Sequence, residues 1–148
     1  MQPQHYIYLR ISFMQNRRIL WVDDDQDDLM LVRQVLQEVN TRYDIIEVNN
    51  GRAALDFLEG ERTKKKLPAL IILDMNMPVM NGRETLALIK SDPELKKIPV
   101  VVFTTSSSQM DKLFCKRFDV EMITKPPTYD KLSKAIQKML SICDKEDA

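Results

Sequence analysis

The sequence predicts an α/β fold, a parallel sheet with helices on both faces, and three observations carry that expectation. Short apolar runs alternate five times with segments of helical period. The third run, "LIIL" from Leu70 to Leu73, is continuously apolar, the pattern of a strand buried on both faces. Turn-forming residues bracket it, Pro68 before and Pro78 and Gly82 after.

Taken in order, the first strand is Ile19 to Val22, followed by a helix striped by Leu29, Val32, Leu36 and Val39. Ile45 to Val48 form the second strand, and Ala54, Leu55 and Leu58 mark the second helix. The polar run "ERTKKK", Glu61 to Lys66, reads as a solvated loop before the third strand, Ala69 to Leu73. Leu86 and Ile89 stripe the next helix, and Val100 to Phe103 form the fourth strand. Met110, Leu113 and Phe114 mark the fourth helix, Val120 to Ile123 the fifth strand, and Leu132, Ile136, Met139 and Leu140 the last helix. All these stripes read as core faces, with Met110 and Met139 filling gaps. Five such repeats, joined by right-handed crossovers, make the flavodoxin-like doubly wound fold with strand order 2-1-3-4-5. Its ligand-binding crevice lies at the carboxyl ends of strands 1 and 3, where Asp23, Asp24 and Asp74 stand.

A chain of 148 residues, 44% hydrophobic and 30% charged, suits one domain with a substantial core. Its 22 basic and 22 acidic residues balance, so no global field favours nucleic acid or an anionic membrane. Cys115 and Cys143 have no metal-ligand spacing and read as reduced thiols, and the single histidine is His5. No apolar run reaches membrane-spanning length and no signal-peptide layout opens the chain, so a cytoplasmic protein is expected. Met14 heads a second plausible start. Residues 1–13 are therefore expected as an upstream extension, within a segment 1–16 outside the domain, with an added strand from the β-forming stretch His5 to Phe13 as the equal alternative.

After Val22 comes "DDDQDD", with five carboxylates between Asp23 and Asp28. Asp27 and Asp28 are explained as helix-start residues, whose oxygens take orphan amides and whose charge meets the helix dipole. Asp23 and Asp24, still at the strand tip and facing Asp74 across the topology, are not. Three gathered carboxylates repel one another unless a cation shares them. Hard oxygen donors with room for water and phosphate oxygens suit Mg²⁺.

The acid pair Asp23 and Asp24, the D-x-x-M-P-x-M-x-G string from Asp74 to Gly82, Thr104 with Thr105 after strand 4, and Lys125-Pro126 after strand 5 together resemble the receiver domain of two-component response regulators. The resemblance covers residues 17–142, leaving 143–148 as a tail, and extends to the small stand-alone regulators that include partners of bacterial phytochromes. It implies that Asp74 accepts a phosphoryl group from a histidine kinase or phosphotransfer protein. It also implies that Asp23, Asp24, Asp74 and the backbone carbonyl of Asn76 hold Mg²⁺. Lys125, aimed inward by a cis bond to Pro126, would be a fixed cation, and Thr104 would hydrogen-bond the phosphate. Such a domain phosphorylates and dephosphorylates only itself. It signals through the surface of the fourth helix, fifth strand and fifth helix by docking a target, forming a homodimer or relaying phosphate, without binding DNA.

Two departures from the family pattern stand out. Met122 occupies the place of the usual aromatic, three residues before Lys125, and "RFDV", Arg117 to Val120, lacks the common Gly-Ala pair. Lys125 also reads as an ordinary surface lysine, and Thr104 as the cap of a helix starting near Ser107. A dehalogenase-type phosphatase would need an acid two residues after its nucleophile, where Asn76 stands. A flavin or nucleotide module would need a glycine-rich first loop, and the chain has three glycines, none directly after strand 1. A degenerate scaffold would be expected to have lost an acid or the lysine.

Overall fold

The computed structural model describes residues 17–39 and 42–145. Residues 1–16, with His5 and Met14, lie outside the described residues, as do 40–41 and 146–148. The strands are β1 (Arg17–Val22), β2 (Tyr43–Val48), β3 (Leu70–Leu73), β4 (Val100–Thr104) and β5 (Glu121–Thr124). The helices are α1 (Gln26–Val39), α2 (Gly51–Thr63), α3 (Gly82–Ser91), α4 (Gln109–Arg117) and α5 (Tyr129–Lys145), with a short 3-10 turn at Leu95–Lys97. All strands pair in parallel in the order β2-β1-β3-β4-β5, the flavodoxin-like arrangement expected from the sequence.

The apolar runs sort by pleat. In β1, Ile19 and Trp21 join a core with α1 and α5, while Leu20 and Val22 join one with α2, α3 and α4. In β3, Leu70 and Ile72 go to the first core and Ile71 and Leu73 to the second. Each such side chain contributes about 1.5–3 kcal/mol on burial, so the two central strands anchor both layers. Trp21 meets Phe103 edge-on at 6.2 Å, tying β1 to β4 within the first core.

Four expectations change. The run Glu61 to Lys66 is not a free loop: α2 continues to Thr63, and Glu61 is buried against Arg18 at 2.9 Å, because an inward-facing α2 position meets the β1 guanidinium. In α4 the apolar stripe points outward. Met110 is 74% and Leu113 61% exposed, while Asp111 and Cys115 face inward and Phe114 is only half-buried, edge-on to Phe118. The reason is polar anchoring of the opposite face, through Asp111. Val39 is likewise exposed at the end of α1. Finally, α5 passes 142 and runs to Lys145, with Cys143 fully buried.

Candidate functional site

The carboxyl ends of β1, β3, β4 and β5 converge on one acidic pocket. β1 ends at Val22, and Asp23 follows it with its amide bonded to the Val48 carbonyl at 3.0 Å, so the carboxylate leaves the sheet where β1 and β3 adjoin. Asp74 leaves β3 in the same way, its amide bonded to the Val22 carbonyl at 3.0 Å. Asp23 and Asp74 are both buried and Asp24 is exposed. One oxygen from each of Asp23, Asp24 and Asp74 lies within 4.8 Å of the others. That donor set is hard, anionic and partly open to solvent, and fits a small divalent cation with its remaining waters.

Lys125 follows β5 and reaches back across the pocket. Its amide donates to the Thr104 carbonyl at 2.8 Å, extending the β4 pairing. Its Nζ lies 2.6 Å from Asp23 Oδ2, 2.8 Å from Asp28 Oδ2 and 3.4 Å from Asp74 Oδ2, with the side chain 9% exposed. The surface-lysine alternative does not hold. Nor does the cis bond: no cis peptide occurs among the described residues, and the trans Lys125-Pro126 link still brings the amine to the acids.

Burial pushes the Asp23 carboxyl up to about 6, against the lowering pull of Lys125. Burial also opposes the charge on Lys125, but the bonds to Asp23 and Asp28 and the charge of Asp74 outweigh it and raise the ammonium above the ordinary lysine value. The pocket therefore sets one positive charge, Lys125, among the carboxylates of Asp23, Asp28 and Asp74.

Other roles become visible only in three dimensions. The cap of α1 is Asp25, whose Oδ1 accepts from the amides of Asp27 and Asp28 at 3.0 and 3.2 Å. Asp27 and Asp28 do lie in the first turn, but Asp28 turns its carboxylate to Lys125. Thr104 is fully buried, and its Oγ1 accepts from the Ser106 amide at 3.2 Å. It does not cap α4; Ser108 does, accepting from the Asp111 amide at 3.4 Å. Ser106 Oγ donates to Asp111 Oδ2 at 2.6 Å, and Arg83 of α3 pairs with the other Asp111 oxygen.

The β3–α3 loop is fastened under Asp74. A Cβ on Gly82 would collide with the Asp74 carbonyl oxygen and lie 2.6 Å from Met75 Cα, so only glycine allows this approach. The Gly82 amide then donates to the Met75 carbonyl at 2.9 Å. Asn76 is exposed on this loop, and Met75 donates its amide to Asp74 Oδ1 at 2.7 Å. Val79, 81% exposed, has φ 66°, a left-handed conformation that a β-branched residue adopts only under strain.

The family described as response regulator receiver domain matches residues 19–137. Response regulator Rcp1 of Synechocystis sp. is 40% identical over 122 residues, covering 80% of this chain and 83% of that protein. The phosphorylated cyanobacterial phytochrome response regulator RcpA superimposes with a TM-score of 0.77 at 34% identity, covering 85% of this chain and 95% of that one. The Mn²⁺-bound form of Rcp1 does so with a TM-score of 0.76 at 39% identity, covering 84% and 92%.

Proposed function

This chain belongs to the response regulator receiver family, and from that premise we propose that it is a phosphoacceptor switch of a two-component system. Asp74 takes a phosphoryl group from the phosphohistidine of a sensor kinase or phosphotransfer protein, in the cytoplasm. The observation that supports this most directly is the meeting of Asp23, Asp24 and Asp74 with the Lys125 ammonium at one sheet edge.

An oxygen of Asp74 attacks phosphorus, the bond from phosphorus to the donor imidazole nitrogen breaks, and that nitrogen keeps the electron pair and takes a proton. Asp23, Asp24, Asp74 and the Asn76 carbonyl are the groups to hold Mg²⁺, and Mn²⁺ occupies the relative Rcp1. When bound, the ion supplies positive charge against the transferring oxygens. Lys125 supplies a second positive charge from the chain itself. Thr104 has its lone pair engaged by the Ser106 amide, which leaves its hydroxyl proton free to donate to the new phosphate.

The output is a change in the face built from α4, β5 and α5, read by a target protein or a second copy. Its sequence suits contact: Met110 and Leu113 project from α4, and a cleft of about 340 Å³ lies between α4 and β5 beside Lys112, Lys116 and Met122. Met122 is only half-buried there, so any motion at this position is that of a flexible thioether rather than a ring. Among the described residues, no helix is long and apolar enough to cross a membrane.

The test is intact-mass measurement after incubation with acetyl phosphate, with and without Mg²⁺, on the wild type and Asp74→Asn. One Mg²⁺-dependent phosphate on the wild type and none on the variant is expected. An equal label on Asp74→Asn would move the acceptor elsewhere.

A further inference from the structure

We infer that Asp28 is a positioning residue for Lys125: it keeps the ammonium paired when a divalent cation claims Asp23 and Asp74. The inference rests on the reading of the acidic pocket as a divalent-cation site. It assigns a role to a residue that the metal and phosphate chemistry does not otherwise require.

The argument begins with which oxygens are available. Asp23 Oδ1 accepts from the Asp25 amide at 2.9 Å, which leaves Oδ2, and Oδ2 is the atom that binds Lys125. Asp74 Oδ1 accepts from the Met75 amide at 2.7 Å, which leaves Oδ2, again facing Lys125. Lys125 therefore holds the less engaged oxygen of each carboxylate, and a divalent ion that draws on Asp23 and Asp74 competes with it for their charge. A divalent ion seated among Asp23, Asp24 and Asp74 weakens both contacts and repels the ammonium.

Lys125 cannot simply withdraw to water, because its side chain is 9% exposed and a buried ammonium without a partner is costly. Among the described residues, Asp28 is the one carboxylate outside the gathered triad that binds Lys125. It lies in the first turn of α1, 36% exposed at its side chain, with solvent at its back. At 2.8 Å it already shares the ammonium, and when the metal enters it becomes the remaining anchor. Without it, the lysine must stay on Asp23 and Asp74 and oppose the metal.

The test is a double-mutant cycle on Mg²⁺ affinity by calorimetry, with Asp28→Asn made in the wild type and in Lys125→Met, which keeps the apolar stem. Asp28→Asn should weaken Mg²⁺ binding about tenfold when Lys125 is present, and by no more than about twofold when it is absent. Equal losses in both backgrounds would make Asp28 a plain charge or a direct ligand and overturn the inference, as would no loss in either. Should Lys125→Met not fold, the Lys125 ammonium signal in NMR decides on the single variant. With Mg²⁺ bound, that signal should stay protected from exchange in the wild type and broaden in Asp28→Asn; identical spectra would overturn the inference. A wild type that binds no Mg²⁺ would overturn the cation-site reading, and this inference with it.

Discussion

Asp111 carries a charge in a place where water scarcely reaches, 2% exposed, and two groups compensate it: Arg83 on one oxygen and the Ser106 hydroxyl on the other. Arg83 itself is 42% exposed at its side chain, so the two partners are unequal. Removing Arg83 strands a buried carboxylate, whereas removing Asp111 leaves a guanidinium that solvent can satisfy. Arg83→Ala should therefore lower stability by about 2 kcal/mol, below the fully buried case because the arginine is partly screened. Asp111→Ala should cost about 1 kcal/mol, roughly one hydrogen-bonded contact. Urea unfolding of both variants checks the order, and a larger loss for Asp111→Ala would mean that holding Ser106 matters more than the charge. Nothing in the sequence around Asp111 announces this pair, since the partners are 28 residues apart. The run Asp23 to Asp28 was more legible. One helix start needs one capping oxygen, so a surplus of acids implied another use, but which acid caps and which faces the pocket depends on the entry angle of α1: Asp25, given no duty by the sequence, takes the cap, and Asp28, expected at the helix start, turns to Lys125.

At the level of elements, period alone placed the strands and most helices within a few residues, because β1, β3 and β4 are buried on both faces and their sequences have few alternatives. α4 escaped for a physical reason. Met110, Leu113 and Phe114 share one face by spacing, but the Ser108 cap, the Asp111 pair and the buried Cys115 set the rotation of the helix and leave Met110 and Leu113 outside. The segment that lacks the Gly-Ala pair, Arg117 to Val120, is the closure of this helix. α4 ends in a Schellman motif, with the Val120 amide on the Cys115 carbonyl at 2.9 Å and the Asp119 amide on the Lys116 carbonyl at 3.0 Å. That closure requires a left-handed residue, and Asp119 adopts φ 56° where glycine would be unstrained. Asp119→Gly should therefore stabilise the fold by about 0.5 kcal/mol, the relief of strain exceeding the extra freedom of glycine in the unfolded chain. A higher urea midpoint is expected, and a lower one would show that the Asp119 carboxylate makes a contribution beyond its backbone.

Across the whole molecule, the sheet order and the site at its carboxyl edge follow from five βα repeats, since the connection rules leave few arrangements for a chain of this pattern. Where the fold stops is less legible, because a closing helix is defined by what it packs on rather than by its own period. The end of α5 is held at the amino edge of the sheet. Arg17 at the start of β1 donates to the Cys143 carbonyl at 2.9 Å, and the Tyr43 hydroxyl at the start of β2 donates to Asp144 Oδ1 at 2.7 Å. Burial and the Asp144 carboxylate push the Tyr43 phenol up to about 12, so it stays a donor at neutral pH. Tyr129 at the other end of α5 bonds Glu38 of α1 at 2.6 Å, so the helix is fixed at both ends. A chain cut after Ile142 loses the buried Cys143 side chain and both distal hydrogen bonds, and should be less stable by about 3 kcal/mol. Tyr43→Phe, which removes one of those bonds, should cost about 1 kcal/mol. If the truncated chain unfolds at the wild-type urea midpoint, the contacts at Cys143 and Asp144 only follow the helix. If it loses several times what Tyr43→Phe loses, those contacts close the first core, and the fold extends past the boundary that the motifs mark.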